Sequence, residues 1–371
     1  MANLSHRIAF TDEQAMLLET ASAFCRANSP IRAVRNLLGS ATGFDRAVWA
    51  EMVALGWSGI AIPEHHGGSG LTLAEVATIT EPMGRHLLAP PFVSTQIAVQ
   101  AILAGGTAAQ QAAILPRIAQ GAIATTAVFE ADGDWDLTVI ATNGNALRLD
   151  GVKTLVLDAA IADIFVISIR VDGAPALAIL DAADVPAGRL LPETIIDETH
   201  RSARIDLTGI AVAADRLITG PAAREGLRAI RDAALLLASA EAAGGIAGVL
   251  DVTVAYLNTR TTFGRKIGSY QSLKHACADI LVGLERSRSH LYHAATLCAG
   301  NEAPEIALRM AKAEATDVFA YAGDRAVQFH GGFGFTWECD AQLFLRRAMW
   351  LQYSYGDAAH HRRKLADLLL A

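Results

Sequence analysis

Along this chain the spacing of apolar positions changes twice. Up to about residue 120 they recur at helical intervals. The stretch FTDEQAMLLETASAFCR (10–26) opens with Thr11 and Gln14 at the spacing of a capping box and continues with apolar residues three and four apart. A proline and a glycine-rich turn, AIPEHHGGSG (61–70), interrupt the helices. From about 121 to 222 the runs shorten. IADIFVISIRV, PALAILD and RSARIDLTGIAV read as strands, separated by turn residues such as TNGN, LDG and VDGAP. From about 223 the chain is helical again, and 226–258 is Ala/Leu-rich and apolar on nearly every face, as a helix at the centre of a bundle would be. The pattern predicts an α+β chain of three parts: an N-terminal helical domain (1–120), a compact middle β-domain (121–222) and a C-terminal helical domain (223–371). No fixed-period repeat or low-complexity linker is visible.

Composition narrows the function classes. The chain has 371 residues, 52% of them hydrophobic, enough for large buried cores. The net charge of −7, with no basic block, argues against nucleic acid or an anionic membrane as the main partner. MANLSHRIAF has no apolar signal core, and Glu and Asp break the apolar stretches before they reach spanning length, so no membrane helix is expected. Cys25, Cys277, Cys298 and Cys339 are scattered without metal-ligand spacing and read as reduced thiols of a cytoplasmic protein. His65 and His66 beside Glu64 cannot share a helix face, so a loop is expected there and no metal.

One short segment is out of keeping with its surroundings. QFHGGFGF (328–335) places three glycines and a histidine between two predicted helices, AEATDVFAYAGDRAV and AQLFLRRAMW. By itself it suits a helix C-cap turn. Its continuation, QFHGGFGFTWECDAQLFLRRA (328–348), resembles the Gln-x-x-Gly-Gly loop and paired arginines of the acyl-CoA dehydrogenase family. YLNTRTTFGRKIGSYQSLKHACAD (256–279) is similar to a second signature of that family, and AIPEHHGGSGL (61–71) to a third. The resemblance runs over essentially the whole chain. It implies a β-barrel-like middle domain, a C-terminal four-helix bundle, flavin adenine dinucleotide (FAD) as cofactor and an acyl-CoA thioester as substrate. An electron-transfer flavoprotein or equivalent would take the electrons, and the assembly would be a homotetramer or a mixed tetramer with a related subunit.

Residue by residue, the resemblance places Gln328, Gly331 and Gly332 at the adenine end of FAD. Arg260 and Gln271 approach the diphosphate, and Phe263 packs nearby. These groups reach across to the FAD held mainly by a neighbouring subunit. Residues without a Cβ let the backbone come close to such a ligand and offer it N–H groups. Arg346 and Arg347 are expected in helix-end or subunit salt bridges, and His275 as a structural histidine.

The chain departs from the family at the catalytic base. Members typically remove a proton α to the thioester carbonyl with a carboxylate while a β-hydride passes to the flavin. Its common position is a Glu in a Glu-Gly-Thr turn. In QYSYGDAAHHRRKLADLLL, Tyr355 stands there, and a tyrosine of pKa about 10 is a poor base, so a pocket-shaping role is expected for it. A second family position falls at about Ala234. The nearest acid on that helix is Glu241, which must be paired, hydrated or raised in pKa in so apolar a stretch. Glu241 is taken as the candidate base, with a structural carboxylate bonded to a neighbouring helix as the alternative. The flavin-ring motifs are also altered. FEADGDWD (129–136) keeps Glu130 and Asp136 but carries Phe129, Ala131 and Trp135 for Thr, Pro and Ser, and KTLVL (153–157) stands for Trp-Ile-Thr. The chain therefore reads either as a divergent self-sufficient dehydrogenase, as a subunit completing a related partner's FAD site, or as a related flavin oxidase or hydroxylase.

Overall fold

The computed structural model describes residues 11–131, 133–186, 188–300 and 303–370. Six helices come first: α1 (Asp12–Asn28), α2 (Ile31–Leu38), α3 (Arg46–Ala54), α4 (Leu73–Arg85), α5 (Phe92–Gly105) and α6 (Ala108–Ala119). The predicted capping box is present. Thr11 Oγ1 accepts from the Gln14 amide, and the Gln14 side chain accepts from the Thr11 amide, both at 3.1 Å. In 61–70 the chain makes a 3-10 turn, Glu64–His66, closed by Gly67 at φ +84°.

The strands follow: β1 (Ala124–Ala127), β2 (Val152–Leu157), β3 (Ile164–Val171), β4 (Ala174–Asp181), β5 (Leu190–Glu193), β6 (Ser202–Asp206) and β7 (Leu217–Ile218). They form a four-stranded sheet, β1-β3-β4-β7, and a three-stranded one, β2-β6-β5. All pairs are antiparallel except β1–β3, which is parallel. A bridge between Phe129 and Thr154 ties the end of β1 to β2 and so links the two sheets into a barrel-like body. β3 is the buried strand. Ile164–Ile169 is inaccessible throughout, which is why its sequence lacks polar alternation. The β3–β4 hairpin turns through Asp172 and Gly173, both at positive φ, as a two-residue turn of the right twist requires.

The remainder is helical: α7 (Gly220–Thr259), a hairpin of β8 (Thr261–Thr262) and β9 (Arg265–Lys266), then α8 (Gln271–Ala299), α9 (Glu305–His330), α10 (Ala341–Tyr353) and α11 (Ala358–Leu370). α7 is long and apolar enough to cross a membrane by length and composition, but 94% of its apolar window is buried within the protein. Over that window it is the buried apolar helix that the sequence predicts.

Contacts group the chain into two compact units, each discontinuous in sequence. One contains the end of α2 from Arg35 onward, α3, α5, α6, the seven strands and the start of α7. The other contains α1, α4, α7 from Leu235 onward, and everything after it. In this second unit α8, α10 and α11 pack on α9, while α4 packs on α1 and α8. Backbones of α4 and α7 meet at glycines. A Cβ on Gly244 would stand 1.8 Å from the Glu81 carbonyl oxygen, and one on Gly84 2.0 Å from that of Glu241.

Candidate active site

The helical unit gathers one group of expected residues at the C-terminal end of α7. Tyr256, on its last turn, stacks on His330 with ring centroids 4.1 Å apart and donates to the His330 carbonyl at 3.4 Å. This contact joins α7 to the glycine loop at the end of α9. Arg260 follows α7 directly, and its amide donates to the Tyr256 carbonyl. Gln271 opens α8, Gln328 lies in the last turn of α9, and Gly331–Phe333 forms a 3-10 turn. Arg260, Phe263, Gln271, Gln328, Gly331 and Gly332 are all exposed. Phe263 is the extreme case, 92% exposed at the tip of the β8–β9 hairpin, where it and Gly264 sit at φ +52° and +77°.

The glycines test whether FAD fits here. Gly334 is required by the chain itself, since a Cβ there would meet the Val327 carbonyl oxygen at 2.2 Å. Gly331 and Gly332 differ, because a Cβ on either meets nothing within 4 Å. Only Gly331, at φ +62°, has a backbone reason to be glycine. The open loop, the exposed Gln328 and the exposed Arg260 suit the adenine and phosphate end of a dinucleotide approached from outside the chain.

Glu241 is otherwise engaged. It is buried, and Arg347, wholly inaccessible on α10, donates from Nη1 to its Oε1. This corrects one expectation, since Arg347 is neither at a helix end nor at the surface. For Glu241 it is the arrangement given as the alternative, a carboxylate bonded to a neighbouring helix. Taking a substrate proton onto Glu241 would leave a buried guanidinium without its counter-charge, a penalty of several kcal/mol. The sequence requires Glu241 to be paired, hydrated or raised in pKa; which of these holds depends on where α10 lies, which phase along α7 does not reveal. Arg346, by contrast, is half-buried, donates to Gln342 Oε1 at 2.8 Å and lies over the Trp337 ring.

Tyr355 is half-buried in the turn between α10 and α11, at φ +56°, and Gly356 follows at φ +107°. A non-glycine residue in this region is strained by about 1–2 kcal/mol and is held there by its surroundings. A Cβ on Gly356 would reach the His360 and His361 rings at 2.8 and 3.0 Å. Glu241 is not brought to the Arg260–Gly331 group, being about 25–30 Å back along α7 at the usual helical rise. His275 is exposed on α8, and among the described residues no group of three or more His, Cys, Asp or Glu could hold a metal.

In the strand-bearing unit the altered ring motifs form a closed internal network. Lys153, fully buried on β2, donates to Glu130 Oε1 at 2.5 Å and to Ser168 Oγ at 2.9 Å. Glu130 also accepts from the Thr142 hydroxyl and from the Ala141 and Thr142 amides. Burial pushes the Glu130 carboxyl up, but these hydrogen bonds, led by Lys153 and Thr142, outweigh it and hold it at about 2. Burial pulls Lys153 down to about 8 against the opposing pull of Glu130. Asp134, which the sequence reading passed over, organises the following loop by accepting from the amides of Asp136, Thr138 and Val139. Its signal was the Asp-x-x-x-Thr spacing of a side-chain turn. Leu155, in the segment standing for Trp-Ile-Thr, is exposed at φ +53° on the bulge between Lys153 and Val156.

The depressed Glu130 value sets a pH dependence. A carboxyl lower in the folded than in the unfolded state stabilises above its ordinary range near 4.5, and the benefit is lost as pH falls toward 2. Glu130→Gln is expected to lower stability by about 2–3 kcal/mol above pH 4.5, with the deficit shrinking toward pH 2. Urea midpoints across that range read it, and a pH-independent deficit would contradict the network.

The chain is similar to known proteins over nearly its whole length. The acyl-CoA dehydrogenase N-terminal domain matches residues 11–122 and the C-terminal domain of the same family matches 232–370. The acyl-CoA dehydrogenase IpdE2 of Mycolicibacterium smegmatis is 29% identical over 356 residues, spanning 96% of this chain and 98% of its own. IpdE2 of Mycobacterium tuberculosis is 29% identical over 343 residues, 91% of each chain. Among solved structures, a variant of the Tcur3481–Tcur3483 steroid ACAD superposes with a TM-score of 0.85 at 26% identity, over 97% of this chain and 98% of that one. Butyryl-CoA dehydrogenase from Megasphaera elsdenii shares the fold, with a TM-score of 0.87 at 21% identity over 98% of this chain and 99% of that one.

Proposed function

The chain belongs to the acyl-CoA dehydrogenase family of oxidoreductases, and from that premise we propose that it serves FAD-dependent α,β-dehydrogenation of an acyl-CoA thioester as one half of a mixed assembly. The observation that carries this reading is an asymmetry. The residues suited to the adenine end of FAD are intact and face outward, whereas Glu241 is committed to Arg347 and Tyr355 stands at the base position. Bound FAD supplies the two-electron acceptor for a β-hydride. Arg260 and Gln271 would hold its diphosphate, Gln328 and the Gly331–Gly332 backbone its adenine end, and Phe263 would cover it against water, all for a FAD seated mainly on a neighbouring chain. Tyr355 would shape the wall beside the acyl group, and the carboxylate base would come from the related subunit. An electron-transfer flavoprotein or equivalent would take the electrons onward. The acyl group is proposed to be bulky, as the steroid ACAD among the relatives suggests.

Purifying the chain alone and recording its flavin absorbance and native mass tests this. The expected product carries less than one FAD per chain and does not reduce dye with acyl-CoA thioesters. Co-purification with a base-bearing related subunit restores both. A yellow, self-assembled, active tetramer of this chain alone would support the self-sufficient reading instead. In the assembled enzyme, Arg260→Ala removes a charge-assisted hydrogen bond to phosphate. FAD retention should weaken about 10–100-fold, from about 1.5–3 kcal/mol. Unchanged retention would remove Arg260 from the site.

A further inference from the structure

Another buried cation in the helical unit has, among the described residues, no acidic side chain bonded to it. Lys312 lies midway along α9 and is fully buried. Its Nζ donates to three main-chain carbonyls: Leu351 at 2.9 Å, Gly356 at 2.8 Å and Gln352 at 3.5 Å. An ammonium has three donors and no acceptor, so these three bonds satisfy it completely. Two of the carbonyls belong to the last turn of α10, where carbonyls lack intrahelical partners and the helix dipole favours a positive charge. The third belongs to the Tyr355–Gly356 turn, where the backbone is left-handed at two successive residues. One side chain from a separate helix therefore bridges the two ends of the segment that presents Tyr355.

We propose that Lys312 is a positioning residue: by clamping the Leu351 and Gly356 carbonyls together it holds the strained turn that sets where the Tyr355 side chain stands. Burial pulls the Lys312 ammonium down to about 7, opposed by the charges of Asp357 and Asp317. A lysine kept at such a desolvation penalty in a helix interior is accounted for by the turn it ties. An apolar side chain of the same length would fill the volume but leave three carbonyls unpaired. The functional weight of the inference rests on the reading above, in which Tyr355 lines the reaction site; the positional content does not.

The chain has six tyrosines, so 3-fluorotyrosine labelling gives six fluorine resonances, and Tyr355→Phe identifies the line of interest. In Lys312→Met, which keeps the hydrocarbon and loses the donors, the Tyr355 line is expected to shift or broaden while those of Tyr256, Tyr270, Tyr292 and Tyr321 stay in place. Lys312→Gln, which keeps one N–H donor group, should recover part of the change and carries the test if the Met variant does not fold. An unmoved Tyr355 line, or six lines moving together, overturns the assignment. Native-state hydrogen exchange on the unaltered protein gives a reading without any variant. The Gly356 and Asp357 amides should exchange at least tenfold more slowly than those of an exposed loop, and exchange at the loop rate overturns it as well. Acyl-CoA binding by Tyr355→Phe separates the two readings: unchanged binding removes Tyr355 from the site, while a moved Tyr355 line still upholds the clamp.

Discussion

Arg347→Ala is expected to destabilise the protein by about 3–5 kcal/mol, because it leaves Glu241 as an uncompensated charge in the interior. The partners are both buried, and 106 residues of chain separate them. Such a loss is a large part of the 5–15 kcal/mol that holds a typical domain. A second variant distinguishes the loss of a pair from the loss of packing. Replacing both residues, Glu241→Met with Arg347→Met, removes the two charges together and should come within about 1–2 kcal/mol of the parent. Chemical denaturation reads both. The double variant also settles the base, since an assembled enzyme that retains turnover without Glu241 draws its base from elsewhere. Turnover that vanishes while folding and FAD content are kept would return Glu241 to the chemistry.

Gly244→Ala should be as damaging despite improving helix propensity. Alanine in a helix interior is favoured over glycine by about 1 kcal/mol. Here the new Cβ would stand 1.8 Å from the Glu81 carbonyl oxygen and 2.8 Å from the Arg85 amide nitrogen. Both obstacles are backbone, so no rotamer change relieves them, and α4 and α7 must separate. Overpacking of this kind typically costs about 1–3 kcal/mol and more where backbone must shift. We expect a net loss of at least about 3 kcal/mol. Separation would also disturb the Glu81 carboxylate, which accepts from Arg288 Nε at 2.8 Å and from the Tyr292 hydroxyl at 2.7 Å. A thermal midpoint unchanged or raised by Gly244→Ala would show that the two helices do not pack this closely.

These contacts mark the limit of what the sequence discloses. The order of helices, strands and helices was legible because each carries its own period, and the capping box at Thr11 and the turn at Asp172–Gly173 are local chemistry. The Gly331–Gly332 loop was legible through its motif, although only the structure distinguishes Gly334, needed for packing, from its two neighbours. The partner of Glu241 was not legible, since α7 shows that an acid sits on an apolar helix but not which helix faces it. Lys312 and Lys153 look like ordinary surface lysines in RMAKAEA and GVKTLV, and their burial follows from carbonyls and a carboxylate contributed by distant segments. The resemblance predicted where a base should be, and the chain's own residues at those places, Tyr355 and Ala234, left the question to geometry.

The discontinuity of the two units bears on how the chain matures during synthesis. α1 and α4 pack into a unit whose remaining members begin at Leu235, so after Leu88 leaves the ribosome nearly 150 residues must follow before their partners exist. At the usual elongation rates that interval is about 7–30 s. Through it α4 carries an apolar surface, Val76, Ile79 and Met83 among it, with no helix bundle to receive it. The nascent chain thus has a built-in waiting period, and the yield of native protein should depend on chaperone capacity and translation speed more than its final stability would suggest.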